Sequence, residues 1–255
     1  MSEQRYPMTS TAWVEQVFNA PPARNLKGHA KYTQAFRTPS KNGGFVDTQG
    51  NTETAAALLL TYLANQGYVG RFKPQPFFTV KDEFGVEICP DFLVEVLLPK
   101  KTIFIIEVKT EAYLDDAARE RLEENREKFE KFGLPYVVWT DKEHLGSIMA
   151  MNLDMWRLNG ANVPLSEVDG FSKWLSELNE TTIGDAVRAG FTLDVIEAAA
   201  WAGKAFMPLG EPARYDMLLT ATPQDDLMES HFQLQVARKS WWSRFAGSHK
   251  PEIRR

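Results

Sequence analysis

The chain begins with a short amphipathic pattern, Trp13, Val14, Val17 and Phe18 at helical spacing, in a segment broken by Pro7, Pro21, Pro22, Pro39 and Gly43-Gly44. As far as residue 50 it therefore reads mostly as loop around one short helix. From Thr52 the texture changes to TETAAALLLTYLANQGY, rich in good helix formers and ending at Gly67 as a C-cap, with Glu53 in the first turn. Phe72 to Val80 reads as a strand that Pro74 and Pro76 confine to a sheet edge or an irregular start, and Lys81 to Gly85 as a turn. Val86 to Leu98 and Thr102 to Lys109 are extended runs joined by Pro99-Lys100-Lys101. A hairpin centred on that joint pairs residues whose numbers sum to about 200, so Asp91 faces Lys109 and Leu93 faces Glu107.

Asp115 to Phe132 carries Ala118, Leu122, Phe129 and Phe132 at core-facing helical spacing, with eight acids between Glu111 and Glu130 on a solvated face. Gly133 ends that helix, and Pro135 to Thr140 is an apolar run of buried-strand type. The order is thus α-β-β-β-α-β, an α/β core. Beyond Met155 three short helical patterns follow, Phe171 to Leu178, Thr182 to Ala189 and Leu193 to Ala202, then an extended stretch from Ala213 to Thr220. Three short helices and a strand predict a mainly helical, winged-helix-like C-terminal domain.

Composition changes this picture little, but charge changes it more. With 44% hydrophobic and 25% charged residues, the 255-residue chain excludes collagen-like, low-complexity and wholly disordered classes. One cysteine, Cys89, excludes an intrachain disulfide and a cysteine zinc cluster, and suits a reducing compartment. No run approaches the roughly 20 apolar residues of a membrane span, and the N-terminus lacks a signal-peptide pattern, so a cytoplasmic protein with no membrane partner is expected. The net charge of −5 taken alone argues against nucleic acid. Split by segment it is +4 over residues 1–45, −14 over 46–235 and +5 over 236–255. Basic ends suited to phosphate flank a middle that concentrates carboxylates.

The chemistry-bearing constellation is Pro90-Asp91, then Glu107-Val108-Lys109. On a strand, Glu107 and Lys109 share a face about 6.6 Å apart, with Ile103 and Ile105 upstream on the same side. The hairpin brings Asp91 to that end. Two carboxylates beside a lysine suit phosphodiester hydrolysis with Mg²⁺, for which Mn²⁺ substitutes: the acids hold a hard cation and the lysine positions water and balances charge on the phosphate.

The run PDFLVEV…IFIIEVKTEAYL…ENREKFEKFGLPYVVWTDKE, preceded by Glu53 in a helix and by Phe72-Lys-Pro-Gln-Pro76, resembles the TnsA family, the endonuclease subunits of heteromeric transposases within the PD-(D/E)xK nuclease superfamily. The likeness covers roughly residues 45–150. It implies a restriction-endonuclease-like core, with Glu53, Asp91 and Glu107 as metal ligands and Lys109 as the catalytic lysine. Gln75 is a secondary candidate for orienting Glu53 or a water. It further implies cleavage of double-stranded DNA at transposon ends, beside a DDE-type transposase subunit and an ATPase regulator. The domains expected are a basic arm (1–45), a nuclease domain (46–155), a helical domain (156–235) and a basic tail (236–255). Competing functions are a stand-alone phage or defence nuclease of the same fold, and a non-catalytic scaffold binding DNA or protein.

Other residues read more plainly. His29, His144, His231 and His249 are scattered and suggest surface positions rather than a metal site. Cys89 reads as packing and Glu95 as structural, while Trp241-Trp242 among basic residues suits DNA stacking or docking.

Overall fold

The computed structural model describes residues 8–24, 35–39, 45–79, 81, 85–97, 101–222 and 226–232. The basic tail (236–255) with Trp241-Trp242 and His249, together with His29 and much of the N-terminal arm, lies outside them.

The central layer is a four-stranded sheet of β3 (Val69–Pro74), β4 (Phe92–Val96), β5 (Thr102–Lys109) and β6 (Tyr136–Thr140), in that spatial order. β3, β4 and β5 run antiparallel to their neighbours, whereas β5 and β6 are parallel. Parallel pairing requires a crossover, which α3 (Asp116–Lys131) supplies. Asp115 caps α3 by accepting from Ala118 N–H at 2.7 Å. The chain is therefore α/β with a mixed sheet.

The two faces of the sheet bury different partners. Phe92, Val94, Val96, Phe104, Ile106, Val108, Val137 and Trp139 belong to one core, Leu93, Ile105 and Tyr136 to the other. Against the first lies α2 (Asn51–Asn65), in which every residue from Ala55 to Ala64 is buried. A helix apolar on all sides is an internal one, and its run of alanines lets neighbours approach closely. Its outer side meets α4 (Ser147–Gly160), which crosses α7 (Leu193–Trp201). Against the second face pack α1 (Thr11–Asn19), through Val17, and α3, through Phe129.

The remaining elements are α5 (Leu165–Leu178), α6 (Ile183–Arg188), the antiparallel pair of β7 (Glu180–Thr182) and β8 (Leu218–Thr220), and α8 (Asp226–Phe232). This C-terminal half is mainly helical. Among the described residues no helix is long and apolar enough to cross a membrane.

Several expectations are corrected. Residues before 50 hold a hairpin of β1 (Ala35–Pro39) and β2 (Phe45–Gln49), not only loop. The strand expected over Phe72 to Val80 starts and ends earlier, because Pro74 ends its ladder. Val86 to Leu98 contracts to five paired residues, preceded by Pro90. The β4–β5 pairs sum to 198, not 200, so Leu93 faces Ile105 and Asp91 comes beside Glu107, one step past the Phe92–Ile106 pair. A shift of two residues keeps every side chain on its face, so apolar alternation is blind to it. Phe132 is 36% exposed at the end of α3 rather than in the core. The helix Ser147–Gly160 was not anticipated, and a boundary at 155 falls inside it.

Candidate functional site

β5 delivers the site because its sequence changes character at its end. Ile103 and Ile105 anchor one side of the strand against the second core, and the next two positions on that side are Glu107 and Lys109. Lys109 Nζ lies 2.6 Å from Glu107 Oε1 and 3.4 Å from Asp91 Oδ2. Asp91 is fixed in turn by the Val108 N–H, which donates to its Oδ2 at 2.7 Å. The second Glu107 oxygen, Oε2, is buried without a hydrogen-bond partner among the described residues.

Glu53 reaches the same region from the first turn of α2, and lines a cleft of about 580 Å³ with Glu107, Lys109, Thr110, Tyr113 and Arg121. Its Oε2 accepts the Gln49 N–H at 2.8 Å, closing the start of the helix. Across the cleft floor, Thr52 and Thr110 hydroxyls are hydrogen-bonded at 3.0 Å, tying α2 to the end of β5.

Electrostatics follow from crowding three acids around one ammonium. Burial, then the charge of Asp91, push the Glu53 carboxyl up to about 7. The same two causes raise Glu107. Burial pulls Lys109 down, but the charges of Asp91 and Glu107 outweigh it and hold the ammonium above its ordinary range. Burial and the negative charges of Glu107 and Asp91 keep the Tyr136 hydroxyl protonated on the neighbouring strand. The centre is thus short of positive charge.

All four primary candidates therefore meet: Asp91, Glu107 and Lys109 in direct contact, Glu53 on the wall of the same cleft. Gln75 does not orient Glu53. Its backbone N–H donates to the Asp91 carbonyl at 2.8 Å from a φ of +42°, and among the described residues its side chain makes no hydrogen bond. Glu95 is structural, paired with Arg71 at 3.3 Å and Lys101 at 2.8 Å, while Arg71 also pairs with Glu15. Cys89 is half-buried, and burial raises its thiol to about 11, a poor nucleophile.

The donor set fits a hard cation in kind: carboxylate oxygens only, one of them buried and unpartnered. As the side chains stand, however, Lys109 bridges Asp91 and Glu107, and among the described residues no three acidic, histidine or cysteine side chains form a ready metal-binding group.

Two groups of residues were not anticipated. Tyr113, Arg121 and Asn125 belong to the cleft wall. The signal is the spacing of Arg121 and Asn125 beside Ala118 and Leu122 on α3, two polar positions on the edge of the stripe that reads as core-facing. Second, His144 and His231 are brought together, ring centroids 5.9 Å apart, with His231 buried. His231 Nε2 lies 2.9 Å from the His144 carbonyl and Trp139 Nε1 donates to the His231 carbonyl at 2.6 Å. Eighty-seven residues separate them in sequence, so spacing carries no trace of the pair.

No protein-family model matches the chain, and no curated protein is detectably similar to it.

Proposed function

We propose that this chain is a divalent-metal-dependent DNA endonuclease of the PD-(D/E)xK type, similar to the TnsA subunits of heteromeric transposases. The observation that carries the reading is the contact of Lys109 with both Asp91 and Glu107 beside a buried, unpartnered Glu107 oxygen. The α-β-β-β-α-β order and the arrival of Glu53 from the preceding helix support it. Helices α5 to α7 with the β7–β8 ribbon fit a winged-helix-like module for DNA or partner contact, and the TnsA likeness assigns a DDE-type transposase and an ATPase regulator as partners.

In this reading Glu53, Asp91 and Glu107 hold Mg²⁺ or Mn²⁺, which when bound acidifies water and stabilises the leaving oxygen. The protein's own groups do the rest. The Val108 N–H fixes Asp91, so the carboxylate keeps its aim when the lysine moves. Lys109 is held protonated by its two acids and would donate to the attacking water or a non-bridging phosphate oxygen. Glu53 Oε2 accepts the Gln49 N–H, and Glu53 lines the cleft, so Oε1 is the oxygen it would offer a cation.

Supercoiled and linear duplexes incubated with Mg²⁺ or Mn²⁺ test the proposal. Glu107→Gln and Lys109→Met each lower cleavage by about 10²–10³-fold, and full activity in either variant refutes the assignment.

The same lysine contact supports a second reading, a scaffold of this fold without catalysis, because Lys109 already neutralises part of the acid cluster. Titration calorimetry separates the two: no Mg²⁺ or Mn²⁺ binding with or without DNA favours the scaffold.

A further inference from the structure

Tyr113 ends the short 3₁₀ turn Glu111–Tyr113, four residues past Lys109. At 82% it is the most exposed large hydrophobic side chain among the described residues, yet it lines the same cleft as Glu107 and Lys109. A tyrosine ring is large and rigid, so ordering it against a flat partner costs little entropy. α3 contributes Arg121 to the same cleft. Its neighbours on that helix are engaged: Arg119 with Glu111, Arg126 with Glu123, and Lys128 with Glu124 at 3.9 Å. Among the described residues Arg121 makes no ion pair, although α3 is rich in acids. Beyond the acid centre, exposed Arg24 likewise makes no ion pair among the described residues, and its positive charge acts on Glu53 and Cys89. The cleft that holds Glu107 and Lys109 thus also holds an exposed aromatic ring and a guanidinium group without an ion pair among the described residues.

We propose that Tyr113 and Arg121 form a nucleotide subsite in which the ring stacks on an unpaired base and the guanidinium holds the adjacent phosphate. The substrate class is DNA with a frayed, flapped or mismatched nucleotide beside the cut. In an intact duplex both faces of every base are covered by neighbours, so an exposed ring finds a stacking partner only where a base has left the helix. A cleft of about 580 Å³ takes one nucleotide, not the width of a duplex. Arg121 supplies the charge that a phosphate beside that nucleotide requires, and its fork geometry suits bidentate contact. The subsite rests on the nuclease reading for its substrate, but its binding is measurable without cleavage.

The test uses the full chain with Ca²⁺ in place of Mg²⁺ and two duplexes of one sequence, fully paired or carrying one unpaired 2-aminopurine. The wild type binds the unpaired duplex more tightly and quenches its fluorescence. Tyr113→Ala loses roughly tenfold in affinity for that duplex alone, together with the quench, and Tyr113→Phe retains both. Arg121→Ala weakens binding to both duplexes and lowers the salt dependence by about one phosphate contact. Both side chains are exposed, and circular dichroism verifies that the variants fold. An unchanged preference and quench in Tyr113→Ala overturns the subsite. Tyr113-dependent binding without cleavage in Mg²⁺ or Mn²⁺ leaves the subsite standing and overturns the nuclease reading, whereas no DNA binding at all overturns both.

Discussion

Lys109 Nζ stands 2.6 Å from one oxygen of Glu107, while the other oxygen of that carboxylate is buried without a hydrogen-bond partner among the described residues. The lysine therefore serves as the internal counter-ion of a cluster that remains short of positive charge. Lys109→Met removes that counter-ion and leaves Asp91 and Glu107 facing each other. About 1–2 kcal/mol of stability is lost, a modest figure because a third of the lysine side chain meets solvent. Mg²⁺ then raises the melting temperature of Lys109→Met more than that of the wild type, as calorimetry with and without the ion measures. Equal shifts contradict this view of the cluster.

Glu53 opposes stability where it serves the site. Its folded pKa of about 7 exceeds the ordinary value of 4.5, so the folded state binds more protons between those values. The resulting stability is complete below pH 4.5 and lost as pH rises through 7. Glu53→Gln keeps an oxygen for the Gln49 N–H and carries no charge. Without added divalent ions it matches the wild type near pH 4 and exceeds it at pH 8 by about 1–3 kcal/mol. Urea unfolding at the two pH values measures the difference, and under the proposed nuclease function DNA cleavage falls in the same variant.

The opposite slope belongs to His144. Burial, then the charge of His231, lowers its pKa to about 4 from 6.5. The folded state therefore binds fewer protons between those values. Its contribution is complete above pH 6.5 and lost as pH falls through 4. The Thr140 N–H donates to His144 Nδ1 at 3.3 Å, a role the asparagine oxygen can take. His144→Asn is expected to flatten the acid limb of a melting-temperature profile between pH 7 and 4, and an unchanged limb refutes the assignment. Whatever loosens this histidine also loosens α8, since Phe232 packs edge-on against Trp139 and Phe104.

How much of this was legible follows the physics of each signal. β5 was readable to the residue, because an apolar strand ending in Glu107 and Lys109 changes face chemistry at a fixed period of two. α2 was readable because alanine and leucine favour one conformation whatever surrounds them. The β4–β5 register was not, since a slip of two leaves the buried faces intact. Proline and glycine mark breaks, and so concealed the β1–β2 hairpin around them. α4 carried a stripe at Met149, Asn152, Leu153 and Trp156, but one member is polar. Asn152 is buried because it donates to the carbonyls of Leu209 and Glu211, groups almost sixty residues away that no local pattern reports. That Glu53, Glu107 and Lys109 share a cleft was legible in their spacing, and that Tyr113 and Arg121 join it was not, for only folding brings that helix and that turn to one cleft.

The contact of α4 with α7 ties the C-terminal helices to the layer behind the central sheet. At Gly160 an added Cβ would stand 2.9 Å from the Ala198 Cα and 3.1 Å from its Cβ, with no long side chain to swing aside. Gly160→Ala therefore forces two helix backbones apart, at a cost of about 1–3 kcal/mol that outweighs alanine's better helix propensity. Since α2, which carries Glu53, packs against α4 in the same core, the disturbance extends to the site without touching it. The expected result is a single cooperative melt at lower temperature, with cleavage of the remaining folded protein reduced less than by Lys109→Met. Two separate transitions, with only the later one shifted, would instead mean that the helical half unfolds on its own and that α2 and α4 are not energetically coupled.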